Sequence, residues 1–369
     1  MFFYICYFDF WDCDLNNKFG LLETLFLRKN QELEQTFYLC QNQYANYKFM
    51  PNILVIIPDT ANIYEVILDG FKSFTPNVKV DFMLSTVPRY KYKNFGEKIS
   101  NFLSKTFLNH NKKDVYERHI IQKRLENLEQ KYDLIFFIHP DSFTDSELKF
   151  LKSKTNNFIA YYWDAMAFFP RKEKIIPFFN KVYSFDTEDC RKYNLELLTN
   201  FYYYEPEPVK MENTLFCMSH LEKRRYELFN RMGKYLKENN INFRFMTRQS
   251  VEKLKSPYIE YMKESIPYPE MLKLLNHYAV ILDIAKPNQA GLSFRIFESL
   301  GMNKKIITNN RAVMKYDFYN PNNILVIDFE NINIPKSFFA MPFEPINEAI
   351  KQKYHLQSFV RTVVSNIKS

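Results

Sequence analysis

The stretch GLSFRIFESLG places a glycine at Gly291, a guanidinium at Arg295 and a carboxylate at Glu298, just after an apolar run that ends at Asp283. That order has a chemical logic. Gly291 lets the backbone come close to a ligand, and the N–H groups opening a helix near Ser293 attract a diphosphate. Glu298, one to two turns further on, can accept hydrogen bonds from both hydroxyls of a ribose. Arg295 is three residues before Glu298 and so shares its helix face. The competing readings are a solvated helix carboxylate for Glu298 and a surface ion pair for Arg295. A second cationic cluster, Lys223, Arg224 and Arg225, opens the helical pattern after the run TLFCMSH. A guanidinium there can bridge two diphosphate oxygens and stabilise a leaving group, although three adjacent cations are also an ordinary solvated surface.

Other candidates stand where apolar runs end: Asp59, His139 with Asp141, Asp164 and Asp186. Asp164, in YYWDAM beside Trp163, is placed to deprotonate an acceptor hydroxyl or orient a sugar, and the alternative is a helix cap. For His139 a hydrogen-bonded structural role is the plainer reading. Asp12-Cys13-Asp14 has the D-x-D spacing of a metal-nucleotide chelate, but it lies in a leader that belongs to no nucleotide-binding pattern.

These residues need strands and helices in a fixed order to bring them together. From Asn52 onward short runs apolar on both faces (ILVII, KVDFML, DLIFFI, NFIAYY, KVYSF) alternate with helical patterns, the signature of a parallel sheet covered on both sides. YYYEPEPVKMEN, around 202–213, breaks the beat as an interdomain linker would, and the alternation then restarts with TLFCMS and runs to NILVID. The fold class expected is α/β, two Rossmann-like doubly wound domains facing across a cleft. The boundaries expected are a leader of uncertain placement over 1–49, an acceptor half over 50–207, a donor half over 208–344, and a helix over 345–369 able to pack on either half.

The segment from Gly291 to Thr308 resembles the donor-nucleotide region of GT-B glycosyltransferases, in particular bacterial lipopolysaccharide and capsule transferases, in Gly291, Arg295, Glu298, Ser299, Leu300, Lys305, Ile306, Ile307 and Thr308. KVYSFDTEDCRKYNLE also resembles this group, so the likeness extends from about Asn52 to the C-terminus. It implies that Glu298 binds the donor ribose, that Gly291, Leu292, Ser293 and Phe294 contact the diphosphate, and that Arg295, with Arg224 or Arg225, neutralises it. It implies a nucleotide sugar as substrate, a saccharide or lipid-linked glycan as acceptor, and neither a metal nor a cofactor. Many retaining relatives carry a second glutamate where this chain has Ala290, which leaves the stereochemistry open. A nucleotide-sugar epimerase or hydrolase and a non-catalytic binding protein are the alternatives.

Composition closes other routes. The chain of 369 residues has only six glycines, none spaced for G-x-G-x-x-G or a phosphate-binding P-loop. Five cysteines without metal-ligand spacing suit a reducing cytoplasm, and six histidines include no H-E-x-x-H. No secretory signal and no long apolar span are expected. From Arg89 to Lys131, eleven Lys or Arg face five acids, most of the net charge of +8. That segment suits an anionic membrane, approached peripherally and without insertion, or an anionic acceptor; the alternative is a solvated helix face. No nucleic-acid reading motif accompanies it.

Overall fold

The computed structural model describes residues 50–74, 78–108, 110–220, 222–248, 255–264, 266–286 and 289–367. Asp12 and Asp14 lie outside them.

The first half runs β1 (Asn52–Ile57), α1 (Ile63–Phe74), β2 (Lys79–Leu84), α2 (Phe95–Leu108), α3 (Lys112–Glu126), β3 (Leu134–Ile138), α4 (Asp145–Ser153), β4 (Phe158–Tyr162), β5 (Lys181–Ser184), α5 (Thr187–Tyr193) and β6 (Glu196–Leu197). The second runs β7 (Glu212–Met218), α6 (Lys223–Glu238), β8 (Phe243–Arg248), β9 (Ile259–Met262), α7 (Tyr268–Asn276), β10 (Tyr278–Asp283), α8 (Phe294–Gly301), β11 (Lys305–Thr308) and β12 (Ile324–Val326). Each half holds a six-stranded sheet, ordered β2-β1-β3-β4-β5-β6 and β12-β11-β10-β7-β8-β9. Every strand pair in them is parallel. The central strands β3 and β4 are buried along their whole length, which is why their sequences read as unbroken apolar runs.

The two halves are one compact unit over Pro51–Ser369. The segment read as a linker is no loose hinge. Tyr202 is buried, its N–H donates to the Tyr354 carbonyl at 3.0 Å, and its carbonyl accepts from Leu356 N–H at 2.8 Å, so the two chain crossings between the halves are bonded to each other. Beyond the second crossing, α9 (Leu356–Val364) returns to the first half, where Leu356, Phe359, Val360 and Val363 join the core of Phe71 and Phe136.

Gly301 is the last residue of α8, where a glycine often turns the chain out of a helix. Its φ is not positive, and the left-handed residue after the helix is Asn303 at φ 54°. A Cβ on Gly301 would lie 2.4 Å from Cδ2 of Tyr202, so the glycine is there to let the crossing segment approach. Gly301→Ala should therefore lower stability by about 1–3 kcal/mol through overpacking. An unchanged midpoint in chemical denaturation would refute the close approach.

Lys304 is buried, with Nζ donating to the Asn276 carbonyl at 2.5 Å, and burial pulls its pKa down to about 8. Between pH 8 and the unfolded value near 10.5 the unfolded chain binds the extra proton, so stability rises with pH across that window. Relative to Lys304→Met, the wild-type protein should gain about 2–3 kcal/mol between pH 7.5 and 10. A pH-independent difference between the two would show that Lys304 stays charged.

Candidate functional site

In each sheet the chain reverses direction of growth once, between β1 and β3 in the first and between β7 and β10 in the second. Such switch points open a crevice at the carboxyl ends of the strands, where ligands of open α/β sheets bind. Contacts between loops that follow the strands of both sheets show that these ends are turned toward each other. Lys286 meets Asp164, the Gly291 loop meets Asp186, and Tyr268 N–H donates to the Ala61 carbonyl at 2.9 Å.

Two guanidiniums gather at the β7/β10 switch. Arg225, at the start of α6, donates to Ser219 Oγ at 2.8 Å beyond β7 and to the Ile284 carbonyl at 3.0 Å beyond β10. Its buried Nε has no hydrogen-bond partner among the described residues. Arg295, on α8, donates to the Met218 carbonyl at 3.0 Å and pairs with Glu298 at 3.4 Å. Burial works against its charge, and the Glu298 carboxylate overrides burial and lifts the guanidinium pKa above its ordinary value. Asp283, at the end of β10, accepts from Ser293 Oγ at 2.7 Å and Thr308 Oγ1 at 2.8 Å, which ties the N-cap of α8 to the sheet. Arg224, next to Arg225, is exposed.

Glu298 and Arg295 share a face, as their spacing requires, but that face is not solvated: the Glu298 side chain is 3% exposed and that of Arg295 16%. Tyr268 hydroxyl donates to Glu298 Oε1 at 2.6 Å, while the buried Oε2 accepts no hydrogen bond among the described residues. The reading of either residue as a solvated surface group is thereby corrected. Tyr268 carries no mark in the sequence beyond its place directly after Pro267 at a helix start.

The Gly291 loop departs from expectation in a second way. A Cβ on Gly291 would meet the Phe185 ring at 2.6 Å, so the close approach this glycine allows is to the first half. Its N–H and that of Ala290 both donate to Asp186 Oδ2, at 2.8 and 2.7 Å. They are occupied by a carboxylate of the chain itself, not left free for a ligand. Leu292 lies in the second-half core, with its carbonyl accepting from Asn200 Nδ2 at 3.0 Å. Phe294 packs edge-on against Trp163 and Phe201. Of the four positions assigned to diphosphate contact, Gly291, Leu292 and Phe294 are seam residues in this structure, and the Ser293 side chain serves Asp283.

Across the seam, Asp164 follows β4 and does not cap the next helix, whose N-cap is Ala165 without a side-chain bond. It pairs instead with Lys286, just beyond β10, at 2.6 Å, and the Lys286 ammonium also sits over the Phe168 ring. At the β1/β3 switch the backbone is strained: Ala61 and Asn62 after β1, and His139 after β3, all have positive φ. Strain of this kind, worth roughly 1–3 kcal/mol per residue, clusters at binding sites. The His139 ring accepts from Trp163 N–H at 3.2 Å, and burial pulls its pKa down to about 4, so the imidazole is neutral at physiological pH. No spacing rule marks Ala61, Asn62 or Lys286 in the sequence. Among the described residues no group of three metal-ligating side chains is assembled.

No protein-family model and no curated protein matches the chain. Solved structures do. A UDP-forming alpha,alpha-trehalose-phosphate synthase from Burkholderia xenovorans aligns with a TM-score of 0.52 at 10% identity, over 86% of this chain and 99% of that one. A trehalose-6-phosphate synthase gives 0.51 at 10% identity, over 86% and 99%. At such identity the likeness is one of architecture, and with two six-stranded parallel sheets facing by their carboxyl ends it makes this an α/β chain of the GT-B fold, two Rossmann-like halves.

Proposed function

We propose that this protein is a glycosyltransferase that moves a sugar from a nucleotide-diphosphate donor to a hydroxyl of a bacterial surface glycan, of the lipopolysaccharide or capsule type, in the cytoplasm. The observation that carries the reading is the pair of guanidiniums, Arg225 and Arg295, held at the β7/β10 switch beside a buried Glu298 whose Oε2 faces Arg295 Nε at 3.4 Å and accepts no hydrogen bond among the described residues. Two fixed cations there match a diphosphate, and a buried carboxylate oxygen that is ion-paired but not hydrogen-bonded suits a ribose hydroxyl. The UDP-forming synthase of the same fold is named for such a leaving group.

In this reading the bond between the anomeric carbon and the diphosphate oxygen breaks as the acceptor oxygen bonds to that carbon. Negative charge grows on the leaving diphosphate, where Arg225 and Arg295 stabilise it. Asp164, across the seam, takes the proton of the acceptor hydroxyl, and Lys286 orients the carboxylate. The nucleotide sugar is a substrate, and no resident cofactor is called for.

Purified protein, incubated with a panel of nucleotide sugars and followed by thermal shift and release of nucleoside diphosphate, tests the reading. Stabilisation with turnover supports it, stabilisation without turnover makes the chain a binding protein, and neither effect with any donor refutes both.

Glu298→Gln keeps an acceptor for Tyr268 but loses the charge, so the donor KM should rise by about 10- to 100-fold with kcat little changed. Arg225→Ala should lower kcat by about 100- to 1,000-fold with the fold kept, whereas Arg295→Ala should also destabilise, because it strands a buried carboxylate. Asp164→Asn should lower kcat by about 100-fold or more without moving the donor KM. An Asp164→Asn enzyme with wild-type kcat would remove that residue from the chemistry.

A further inference from the structure

Helix α2 is built the wrong way round for a helix of a water-soluble face. Over Phe95–Leu108 its one buried side chain is polar, Asn101, which donates to Tyr92 hydroxyl at 2.8 Å and to Asn111 Oδ1 at 3.2 Å and accepts from Lys112 N–H at 2.7 Å. Glu97 is also turned inward, accepting from Tyr90 hydroxyl and from Lys93 N–H and pairing with Lys112. The apolar residues point out: Phe95, Ile99, Phe102, Leu103 and Phe107 recur at the spacing of one helix face, and Phe102 and Phe107 are 66% and 77% exposed. Exposed single apolar residues are ordinary, but a whole helix face of them marks an interaction surface.

The charge around that face says what it meets. Between Arg89 and Lys113 there are seven Lys or Arg and a single acid, Glu97, which is already engaged within the segment. Lys91, Lys93, Lys98, Lys105 and Lys113 are exposed, and Lys98 and Lys105 lie on α2 itself, flanking the apolar stripe by their helical spacing. Two copies of this face would bring like charge against like charge, which disfavours self-association. An apolar stripe flanked by cations matches an anionic bilayer, with aromatic and aliphatic groups entering the interface and ammonium groups reaching the lipid phosphates. No helix among the described residues is long and apolar enough to cross a membrane, so the contact is one of lying on the surface. The loop into α2 leaves the carboxyl end of β2, the edge of the sheet that faces the seam.

We infer that α2 is a membrane-docking helix that seats the first half on an anionic lipid surface by inserting the Phe95, Ile99, Phe102, Leu103 and Phe107 face. It differs from the purely electrostatic approach expected from charge alone, and it stands independently of the transferase reading. The test is sedimentation of the full chain with vesicles of phosphatidylcholine or of phosphatidylcholine mixed with phosphatidylglycerol. Wild-type protein should pellet with the anionic vesicles at low salt and not with the neutral ones. The double variant Phe102→Ser, Phe107→Ser should lose at least about tenfold in partitioning. Lys98→Gln with Lys105→Gln should lose about 25-fold, at about fivefold per cation. Thermal melts by circular dichroism should match the wild type, since both pairs are exposed. Phe107→Trp should shift its emission to the blue on anionic vesicles. Wild-type protein that ignores anionic vesicles overturns the inference and leaves the face to a protein partner. A serine double variant that still binds fully reduces the contact to charge and overturns it as well. A wild-type dimer in sedimentation equilibrium that the serine variant dissolves would assign the face to a second copy.

Discussion

The carboxylate of Asp186, 1% exposed, sits between the two halves and has to be matched by donors on both sides. A charge that deep is tolerated only when hydrogen-bond donors replace its water. Glu188 N–H and Asp189 N–H, opening α5, supply two, and Ala290 N–H and Gly291 N–H, from the second half, supply the others. The register of the seam follows from that. Phe185 can lie flat against Gly291 only because no Cβ intervenes, Asn200 reaches the Leu292 carbonyl, and Phe294 enters the aromatic group of Trp163 and Phe201. Helix α8 therefore starts from a point fixed by the first half, and Arg295 and Glu298 inherit their positions from it.

The alternation of apolar runs was legible because strands buried on both faces leave no polar residues in them, and β1, β3, β4 and β10 fall where the sequence analysis put them. Shorter strands with weak patterns were not: β6 is two exposed residues, and β9 has a single buried one. The side chains of the candidate site were legible by type and spacing, since residues three apart on a helix must share a face. Their burial was not, because Glu298 is covered by Tyr268, thirty residues away in sequence, and nothing near Glu298 announces that cover. The glycines misled for a related reason. A glycine needed for close approach looks the same whether the approaching group is a ligand or, as at Gly291 and Gly301, an aromatic ring of the same chain. The destination of α9 was undecided in sequence because its apolar face fits any apolar surface; Leu356 against Gly70 decides it.

The two switch points are equipped differently. At β7/β10 the means are electrostatic, two guanidiniums braced by carbonyl groups at the strand ends, so an anion finds its counter-charge already oriented. At β1/β3 the means are conformational. Ala61, Asn62 and His139 hold backbone that L-residues avoid, and a neutral His139 buttressed by Trp163 N–H and Phe169 keeps the strand end in place. On the proposed reading a neutral, hydroxyl-rich acceptor and an anionic donor call for that division, since shape discriminates the first and charge the second. The Asp164–Lys286 pair adds an ion pair between the halves, from the loop after β4 to the loop after β10.

Tyr268 connects these observations. Its backbone N–H is held by Ala61, in the strained loop of the first half, while its hydroxyl covers Glu298 in the second. A carboxylate buried this far needs an O–H donor at all times, and Tyr268 supplies one. On the proposed reading a ribose hydroxyl bonds to the other oxygen, Oε2, while Tyr268, with its ring between Tyr203 and Phe294, keeps Oε1. The carboxylate proposed for the ribose is thus tied to the strained loop after β1 in the first half through a single residue.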